Sequence, residues 1–545
     1  MRRFRHRVLV LGALFGTAAC ALLDPFPDLA DPKPDAHAGG DAPGTDGSEL
    51  DGAGDAGVDH VCVPDTTRAC GFEECRGTQR CNGGSWEACS VHDPTAELCT
   101  TAVDESCDGV GACTGEHRWA APLPAGGESH AWSVAVSPAG DVYVAGSFLG
   151  DMTLPNGAKL SQGGSPSLAD GFLVKLTRAG ALVWARHLDD APISAVSAGK
   201  NDLLVTGALL ATSVAGECGS LVRTSTSAFG VRYGFDGTCR NKKVLEGAST
   251  ATSTLDPSTD DAILSGILVA PLALGGAPDS GADVLVPGGE ANETNGYIVR
   301  LDPMFAGKSG ATFASKNLFV RSIAADRTGK VSISGTADGT IFLLLEIGPQ
   351  AGFVGTFDER GTLVWAYRVG ANYGCDPSNL AYGADGTLFI AGAYIGSIDL
   401  RPTGPLLTAT PQSVDGFVIA RSPVPYVYSG VTFGREGLER PRGMAVDPSG
   451  AVVLTGYVAN GLVSIGGATF TAGASTSLFV SKHRPVTFET EWTHFVASDG
   501  NDYGNAVATS PFGDVFVVGD FSPTIDFGGG ALDAGAGAFA LMRRP

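Results

Sequence analysis

From about residue 130 the chain repeats a pattern in which a polar turn precedes a short, nearly continuous apolar run that ends at a glycine. The pattern occurs seven times, at intervals of roughly 57 to 69 residues. Apolar runs of this length are typical of strands that are buried on both faces. We number the copies units 1 to 7, and the glycines that end them are Gly146, Gly207, Gly266, Gly335, Gly392, Gly456 and Gly519.

Each apolar run is accompanied by other segments with the pattern of strands. A segment such as "SVAVSPAG" precedes most copies, and its proline, serine and glycine suit a tight turn between two strands. A third segment follows after a loop of variable length, and the clearest copies add a fourth that contains tryptophan. The third segments carry Phe172, Phe229, Tyr297, Phe353, Phe417, Phe479 and Phe539, and the fourth carry Trp184, Trp365 and Trp492. We interpret these aromatic residues as packing between units rather than as a cage for a ligand.

Four strands in each of seven units, without a helical period, predict an all-β, seven-bladed β-propeller over residues 116–545. Unit 7 ends after its third strand, at "GAFALMRRP". The segment "HRWAAPLP", which contains Trp119, precedes unit 1 and matches a fourth strand. We therefore predict that residues 117–124 complete the sheet of unit 7 and close the ring, which removes two open sheet edges.

The first 61 residues predict export. Residues 1–19 begin with several arginines and continue with an apolar run too short to span a bilayer, which is typical of a signal peptide. Residues 20–61 contain ten acids and one lysine among many prolines, glycines and alanines, and predict a disordered tether. The sequence Thr-Ala-Ala-Cys at 17–20 resembles the lipobox of bacterial lipoproteins, with threonine where the family usually has an aliphatic residue. The resemblance implies lipidation of Cys20; cleavage at the same bond without lipidation is the alternative.

Residues 62–115 predict a small cysteine-rich module. An even number of cysteines in a short exported segment, without a C-x-x-C pair for zinc, favours four disulfides over a metal site. The segment resembles a cysteine-rich metal-binding module of bacterial surface proteins, which implies Asp104 and Asp108 as cation ligands. Ser106 stands where that family has an acid, so a solvated acidic turn is the alternative. The cysteines are Cys62, Cys70, Cys75, Cys81, Cys89, Cys99, Cys107 and Cys113.

Charge and the remaining cysteines fit an exported β-protein. Cys218 and Cys239 both lie in unit 2 and predict a disulfide, which leaves Cys375 as a buried thiol rather than a nucleophile. The net charge of −22 argues against a nucleic-acid partner and against electrostatic docking on anionic lipid. The units resemble the SBBP-type β-propeller repeats of secreted bacterial proteins, with the pattern "VAVDPSGNVYVTG…FVAKLD…LVW", over residues 116–545. That resemblance implies the fold and export, but no ligand.

The longest loops indicate where function lies. Loops that join second to third strands, such as "SFLGDMTLPNGAKLSQGGSPSLAD", are expected on the same face as the connections between units, and some are expected to contain small hairpins. Variable loops on a rigid scaffold are where binding usually occurs. We therefore predict a monomeric lipoprotein of the outer membrane or cell surface that acts in binding or scaffolding. Its ligand is a protein or a polysaccharide, and its only membrane contact is the lipid anchor.

The alternative is a secreted propeller enzyme, a hydrolase or lyase, in which carboxylates from different units converge. The sequence shows no H-E-x-x-H or G-x-S-x-G motif. The acid pairs Asp189-Asp190 and Asp260-Asp261 lie in predicted turns, where we expect them to be solvated. We therefore assign no catalytic residue, no cofactor and no firm metal ligand, with structural calcium in the turns as a further alternative.

Overall fold

Every regular element in the described part of the chain is a β-strand. The computed structural model describes the strands between residues 67 and 91 and then residues 114–544, apart from gaps at 215–217, 250–251, 276–283, 291, 343–344, 371–373, 401–403, 412, 534 and 536. These residues form no helix, and hence none that could cross a membrane. The all-β class is confirmed.

The chain divides into two compact parts, and the smaller is built on a short four-stranded sheet. Its central strand β2 pairs with the other three. The strands are β1 (Thr67–Cys70), β2 (Gly77–Asn82), β3 (Ser85–Trp86) and β4 (Ser90–Val91). The cysteine side chains of residues 62–113 lie outside the described residues, as do Cys20, Asp104 and Asp108. The disulfide framework, the lipidation and the cation ligands therefore stay predictions.

The larger part repeats one four-stranded antiparallel sheet, and units 1 and 2 show its regular form. Short turns join the first strand to the second; in unit 1 the Gly140 NH donates to the Ser137 carbonyl at 2.9 Å, and Gly140 adopts a φ of 88° that glycine favours. In pairing order, unit 1 consists of β6 (Ser129–Val136), β7 (Val142–Phe148), β10 (Asp170–Leu176) and β11 (Leu182–Leu188). Unit 2 consists of β12 (Ile193–Ala198), β13 (Asp202–Ala208), β16 (Ser227–Gly234) and β17 (Cys239–Glu246).

Units 3 and 4 share one long strand. The first half of β23 (Gly307–Ala325) pairs with unit 3, and its second half pairs with unit 4. The strand changes partners next to Asn317, whose φ is 46°. The other strands of unit 3 are β18 (Thr252–Leu255), β19 (Ala262–Leu268) and β22 (Thr294–Leu301); those of unit 4 are β24 (Val331–Ile341), β25 (Leu345–Phe357) and β26 (Leu363–Val369).

Units 5 and 6 return to the regular form. Unit 5 consists of β27 (Cys375–Tyr382), β28 (Leu388–Tyr394), β31 (Asp415–Arg421) and β32 (Tyr428–Phe433). Unit 6 consists of β33 (Leu438–Val446), β34 (Val452–Ala459), β37 (Ser477–His483) and β38 (Thr490–Val496).

The sheet of unit 7 is completed by the segment that precedes unit 1. Its strands pair in the order β39 (Tyr503–Thr509), β40 (Val515–Phe521), β43 (Gly537–Arg543) and β5 (His117–Leu123). Trp119 lies opposite Met542 in this pairing. The predicted pairing of the 117–124 segment with the last strand is confirmed.

Small hairpins occupy six of the connections between second and third strands in the described part of the chain, as the turn residues in the loops predict. In unit 4, β24 and β25 instead extend as one long hairpin. The hairpins are β8 (Met152–Thr153) with β9 (Lys159–Leu160), β14 (Ser213–Val214) with β15 (Leu221–Val222), β20 (Leu272–Ala273) with β21 (Val284–Leu285), β29 (Ser397–Asp399) with β30 (Leu406–Thr408), β35 (Gly461–Ile465) with β36 (Ala468–Ala472), and β41 (Thr524–Asp526) with β42 (Ala531–Asp533).

The first strands of consecutive units contact one another, and β39 of unit 7 contacts β6 of unit 1. The apolar cores lie between adjacent sheets, so that one core contains Phe172 of unit 1 and Phe516 of unit 7. Trp184 of unit 1 donates from Nε1 to the Phe235 carbonyl of unit 2 at 3.2 Å. Trp119 donates in the same way to the Arg178 carbonyl of unit 1 at 2.9 Å. Trp119 therefore joins units 7 and 1 as Trp184 joins units 1 and 2.

The register of the sheets explains why each apolar run ends at glycine. In all seven units that glycine lies opposite the aromatic residue of the third strand, and all seven aromatic side chains are fully buried. The interpretation of these residues as packing is confirmed. In unit 7, a Cβ atom on Gly519 would lie 1.8 Å from the Tyr503 carbonyl oxygen and 3.1 Å from the Phe539 ring. The carbonyl approaches this closely because the first strand has a bulge between Gly504 and Ala506.

We expect Gly519→Ala to destabilise the protein, because backbone atoms of β39 must shift to admit the methyl group. Overpacking of this kind costs about 1–3 kcal/mol. Urea unfolding of the variant measures the loss, and Gly288→Ala is the control because a Cβ there meets no atom within 4 Å. Equal unfolding free energies for the two variants would contradict the role assigned to the glycine.

Candidate functional site

In units 1 and 5, the long loop between the second and third strands is held by the acid that begins the third strand. The Asp170 carboxylate accepts hydrogen bonds from the backbone NH groups of Gly163 at 2.7 Å and Asp190 at 2.8 Å. In unit 5 the Asp415 carboxylate accepts one from the Thr410 NH at 2.9 Å. These carboxylates therefore fix the loop backbone, which accounts for their burial.

A cluster of aromatic and hydrogen-bonding side chains lies where the first strands of units 1, 6 and 7 begin. Two of its members directly follow the glycine that ends a second strand, at the point where the chain leaves the sheet for the long loop. The cluster therefore lies on the loop-rich face. Its members, which we call the first-strand cluster, are His130, Trp132, Arg442, Tyr457, Tyr503, Asn505 and Asp520.

Asn505 connects the three units of the first-strand cluster. Its Oδ1 accepts a hydrogen bond from Arg442 Nη1 of unit 6 at 2.9 Å. Its Nδ2 donates to Asp520 Oδ2 at 2.8 Å and to the Ala131 carbonyl of unit 1 at 3.1 Å. Asn505 is buried, so these bonds hold its amide in one orientation.

Arg442 and two tyrosines form the half-buried wall of the cluster. The guanidinium group lies 4.8 Å from the ring centre of Tyr457 and 4.7 Å from that of Tyr503. The two rings meet edge to face with their centres 5.1 Å apart. The arginine thus keeps its charge over aromatic faces, an arrangement that stabilises a cation and leaves its other NH groups for a ligand.

His130 and Asp520 place a proton donor beside a carboxylate. His130 Nδ1 lies 3.2 Å from Asp520 Oδ2, and its ring stacks on Trp132 with the centres 5.0 Å apart. Burial lowers the pKa of His130, but the hydrogen bond and charge of Asp520, with a smaller effect of Glu128, outweigh it and raise the pKa overall. This pair is suited to exchanging a proton near neutral pH.

Charged residues continue the cluster along the first strands of units 4 and 5. Arg321 Nε lies 3.5 Å from Asp376 Oδ1, and the Arg321 guanidinium lies 5.4 Å from the ring centre of Phe319. The Phe319 side chain is 46% exposed. Between units 5 and 6, Ser378 Oγ donates to the Pro441 carbonyl at 3.2 Å. Polar contacts therefore connect the first strands of successive units.

The first-strand cluster was not predicted from the sequence. Its residues stand at the heads of strands, in "HAW", "RPR" and "NDYGN", where polar residues usually mark a solvent-exposed strand end. The signal that identifies them is their position: Trp132, Arg442 and Asn505 stand at the bulge of their first strand. Tyr457 and Asp520 directly follow the motif glycine of their unit. That position acquires meaning only when the first strands are known to lie side by side.

One group outside the cluster has the donor atoms of a metal site. One donor atom of each of Asp170, His187 and Asp189 lies within 4.8 Å of the others. His187 Nε2 lies 3.2 Å from Asp189 Oδ1, whereas Asp170 already accepts two backbone hydrogen bonds. The geometry is compatible with a cation, but its side chains have partners within the protein.

The acid pairs expected to be solvated are partly buried instead. Asp261 is 2% exposed, and its Oδ2 lies 3.3 Å from Arg300 Nη1 and 2.7 Å from Lys308 Nζ. This ion-pair network borders a cleft of 580 Å³ between units 3 and 4, on the face of the short turns. Asp190 is 6% exposed and accepts a hydrogen bond from the Ser165 NH at 2.9 Å. The expectation of solvation is wrong for both residues, because each carboxylate satisfies backbone or side-chain donors.

The cysteines of the larger part behave as predicted. Cys218 and Cys239 form a disulfide that ties the long loop of unit 2 to its outer strand. Cys375 is a buried free thiol, and burial raises its pKa well above the ordinary value. A thiol with a raised pKa is a poor nucleophile, in agreement with the structural role expected for Cys375.

Comparison with known proteins adds no family. No protein-family model and no curated protein matches the chain. Among solved structures, a europium-containing methanol dehydrogenase is similar over 79% of this chain and 93% of its own, with 10% identity and a TM-score of 0.33. A Synechocystis apocarotenoid oxygenase is similar over 79% of this chain and 94% of its own, with 9% identity and a TM-score of 0.33. Similarities this low indicate no function.

Asp502 lies directly before Tyr503 and is fully buried. Its Oδ1 accepts a hydrogen bond from Ser498 Oγ at 3.0 Å, whereas its Oδ2 has no partner. Burial raises the pKa of Asp502 to about 7, although hydrogen bonds from Ser498 and Ser522 oppose the change. We therefore expect Asp502 to become charged only as the pH approaches neutrality.

We expect the Asp502 carboxyl to lower the stability of the protein as pH rises, and Asp502→Asn to remove that contribution. An acid with a raised folded-state pKa stabilises the fold fully below its unfolded pKa, and the contribution is lost as pH rises through the folded pKa. Between about pH 4 and pH 8 the wild type should lose roughly 2–4 kcal/mol of unfolding free energy relative to Asp502→Asn. Urea unfolding across this range measures the difference, with the exposed Asp499→Asn as the control. Parallel profiles for wild type and Asp502→Asn would refute the assignment.

Proposed function

We propose that residues 116–545 form a closed seven-bladed β-propeller that is displayed at a bacterial cell surface by a lipid anchor on Cys20. The pairing of β43 with β5, the contact of β39 with β6, and the matching contacts of Trp119 and Trp184 support ring closure. The arginine-rich start and short apolar run support export. The acidic tether of residues 20–61 supports separation of the propeller from the membrane.

The propeller is a binding protein whose ligand is a polysaccharide that contacts the first-strand cluster. The observation that carries this proposal is the combination of half-buried aromatic rings with hydrogen-bonding side chains on the loop-rich face. Sugars present apolar C–H faces that pack on aromatic rings, and hydroxyl groups that bond to carboxylates, amides and guanidinium groups. Asp520, Asn505 and Arg442 supply all three polar groups within one network.

Charge further favours an acidic polysaccharide. The chain as a whole carries a net charge of −22, yet the first strands of units 4 and 6 carry Arg321, Arg440 and Arg442. Arginine binds carboxylates through paired NH groups. An acidic sugar chain is thus attracted to the centre of the loop-rich face and repelled by much of the remaining surface.

A polysaccharide hydrolase or lyase is the second candidate, and the His130–Asp520 pair is the observation that favours it. The pair lies within the proposed binding site and combines a histidine of raised pKa with a carboxylate. If the protein cleaves its ligand, His130 is the residue that exchanges the proton with the glycosidic oxygen or with the sugar.

We expect a glycan array probed with the purified full chain to identify an acidic polysaccharide, and Tyr503→Ala to weaken its binding by tenfold or more. Loss of an aromatic anchor typically costs about 1–2 kcal/mol or more. Calorimetry measures the affinity, and Met304→Ala is the matched control because Met304 is 74% exposed in a turn on the other face.

Two outcomes separate the alternatives. Binding to a protein array but to no glycan, or unchanged glycan affinity for Tyr503→Ala, contradicts the polysaccharide proposal. Shortening of the bound polysaccharide by the wild type, and its loss in His130→Gln, identifies the enzyme.

A further inference from the structure

Two buried carboxylates meet at the junction of units 5 and 6. Glu439, near the start of β33, is 0% exposed, and Asp415, the first residue of β31, is 2% exposed. The Glu439 NH donates to the Val414 carbonyl at 3.0 Å, so the backbones of the two acids run side by side. The charge of Asp415 lies close enough to Glu439 to raise its pKa.

The two carboxylates differ in the hydrogen bonds that their oxygens accept. Asp415 Oδ2 accepts hydrogen bonds from Thr410 NH at 2.9 Å and Thr410 Oγ1 at 3.0 Å, and Oδ1 accepts one from the Ser413 hydroxyl. Neither Oε1 nor Oε2 of Glu439 receives a hydrogen bond of normal geometry. Within the described residues, no lysine, arginine or histidine forms an ion pair with either acid.

An unpaired carboxylate in this position requires compensation. Removing a charged group from water without a partner costs several kcal/mol, so a buried carboxylate takes up a proton or binds a cation. Burial and the neighbouring Asp415 raise the pKa of Glu439 to about 8, and the backbone NH groups of Arg435 and Ser464 oppose this only in part. Two adjacent carboxylates offer twice the negative charge of one, which favours a divalent cation over a single proton.

The next junction provides an internal comparison. Glu439 stands two residues before Pro441, which lies opposite the motif glycine of unit 6, and Asp502 stands two residues before Gly504, which lies opposite that of unit 7. The position that Asp415 occupies, two residues before the third-strand aromatic, is filled in unit 6 by Ser477. Asp502 is thus a buried acid at the same repeat position without a second carboxylate.

We propose that Glu439 and Asp415 bind a divalent cation of the calcium class between units 5 and 6. The donors at this junction are oxygen atoms: two carboxylates, with the hydroxyl groups of Thr410 and Ser413 beside Asp415. Oxygen donors select calcium and magnesium over zinc, which prefers nitrogen and sulfur. Calcium takes six to eight oxygen ligands, so water completes its shell. The cation neutralises both acids and ties the loop of unit 5 to the first strand of unit 6.

The test compares three full-length proteins freed of cations with EDTA: wild type, Glu439→Gln and Asp502→Asn. Equilibrium dialysis with calcium counts the ions bound to each chain, and differential scanning calorimetry at fixed pH measures the shift of the melting temperature on adding calcium. We expect Glu439→Gln to bind one ion fewer than the wild type and to lose its share of the shift. Asp502→Asn should match the wild type in both measurements, because Asp502 has no second carboxylate.

Glu439→Gln keeps the shape of the side chain and removes the buried charge, so it should melt no lower than the wild type in EDTA. This result shows that the loss of binding is not a loss of folding. Asp415→Asn provides a second variant that should also bind one ion fewer. The proposal is overturned if wild type and Glu439→Gln bind the same number of calcium ions with the same shift of melting temperature, which would mean that Glu439 holds a proton.

Discussion

Backbone pairing between β5 and β43 is the interaction on which the larger part of the molecule depends. The two strands come from positions more than 400 residues apart in the chain, and their pairing gives unit 7 the same four strands as its neighbours. Without β5, the third strand of unit 7 has an open edge, and the core that contains Phe172 and Phe516 loses Leu123 and its contact with Trp119. An exposed edge of this kind invites pairing with other chains.

The junction between units 7 and 1 also assembles the candidate site. Asn505 and Asp520 belong to unit 7 at one end of the repeat, whereas Ala131 and His130 belong to unit 1 at the other. The hydrogen bonds of the first-strand cluster therefore cross the junction at which the ends of the repeat meet. If this junction opens, the first-strand cluster loses its arrangement. The proposed binding therefore depends on the same contacts that stabilise the junction.

Much of the architecture is present in the sequence, because repetition makes each local pattern visible several times. The seven glycines, the third-strand aromatics and the tryptophans predict the strands, and the match of Trp119 to Trp184 predicts the closing pairing. The Cys218–Cys239 bond follows from two isolated cysteines in one unit of an exported chain. The glycine pattern does not reveal why glycine is needed. Gly519 is required because of a bulge in a different strand, and the sequence around Gly519 does not show that bulge.

The candidate site and the buried acids were harder to predict from the sequence, because their environments are created by packing between residues that are distant in the chain. Asp190 and Asp261 stand in sequences typical of exposed turns, but Asp190 is bonded to the long loop of its own unit and Asp261 is paired with Arg300 and Lys308. Glu439 and Asp502 look like ordinary acids at strand ends, and only the stacking of one sheet on the next removes them from water. The continuous strand β23 also departs from the regular repeat, since units 3 and 4 are joined within Gly307–Ala325 by a change of partner next to Asn317 and not by a loop.

Hydrogen–deuterium exchange of the intact protein tests the central claim most directly. If β5 is the outer strand of unit 7, the amide hydrogens within 118–122 that pair with β43 should exchange as slowly as those of β38 (Thr490–Val496), the outer strand of unit 6, because both sets are bonded within complete sheets. Rapid exchange at 118–122 while β38 remains protected would contradict the account, because it would show that the ends of the repeat are not joined.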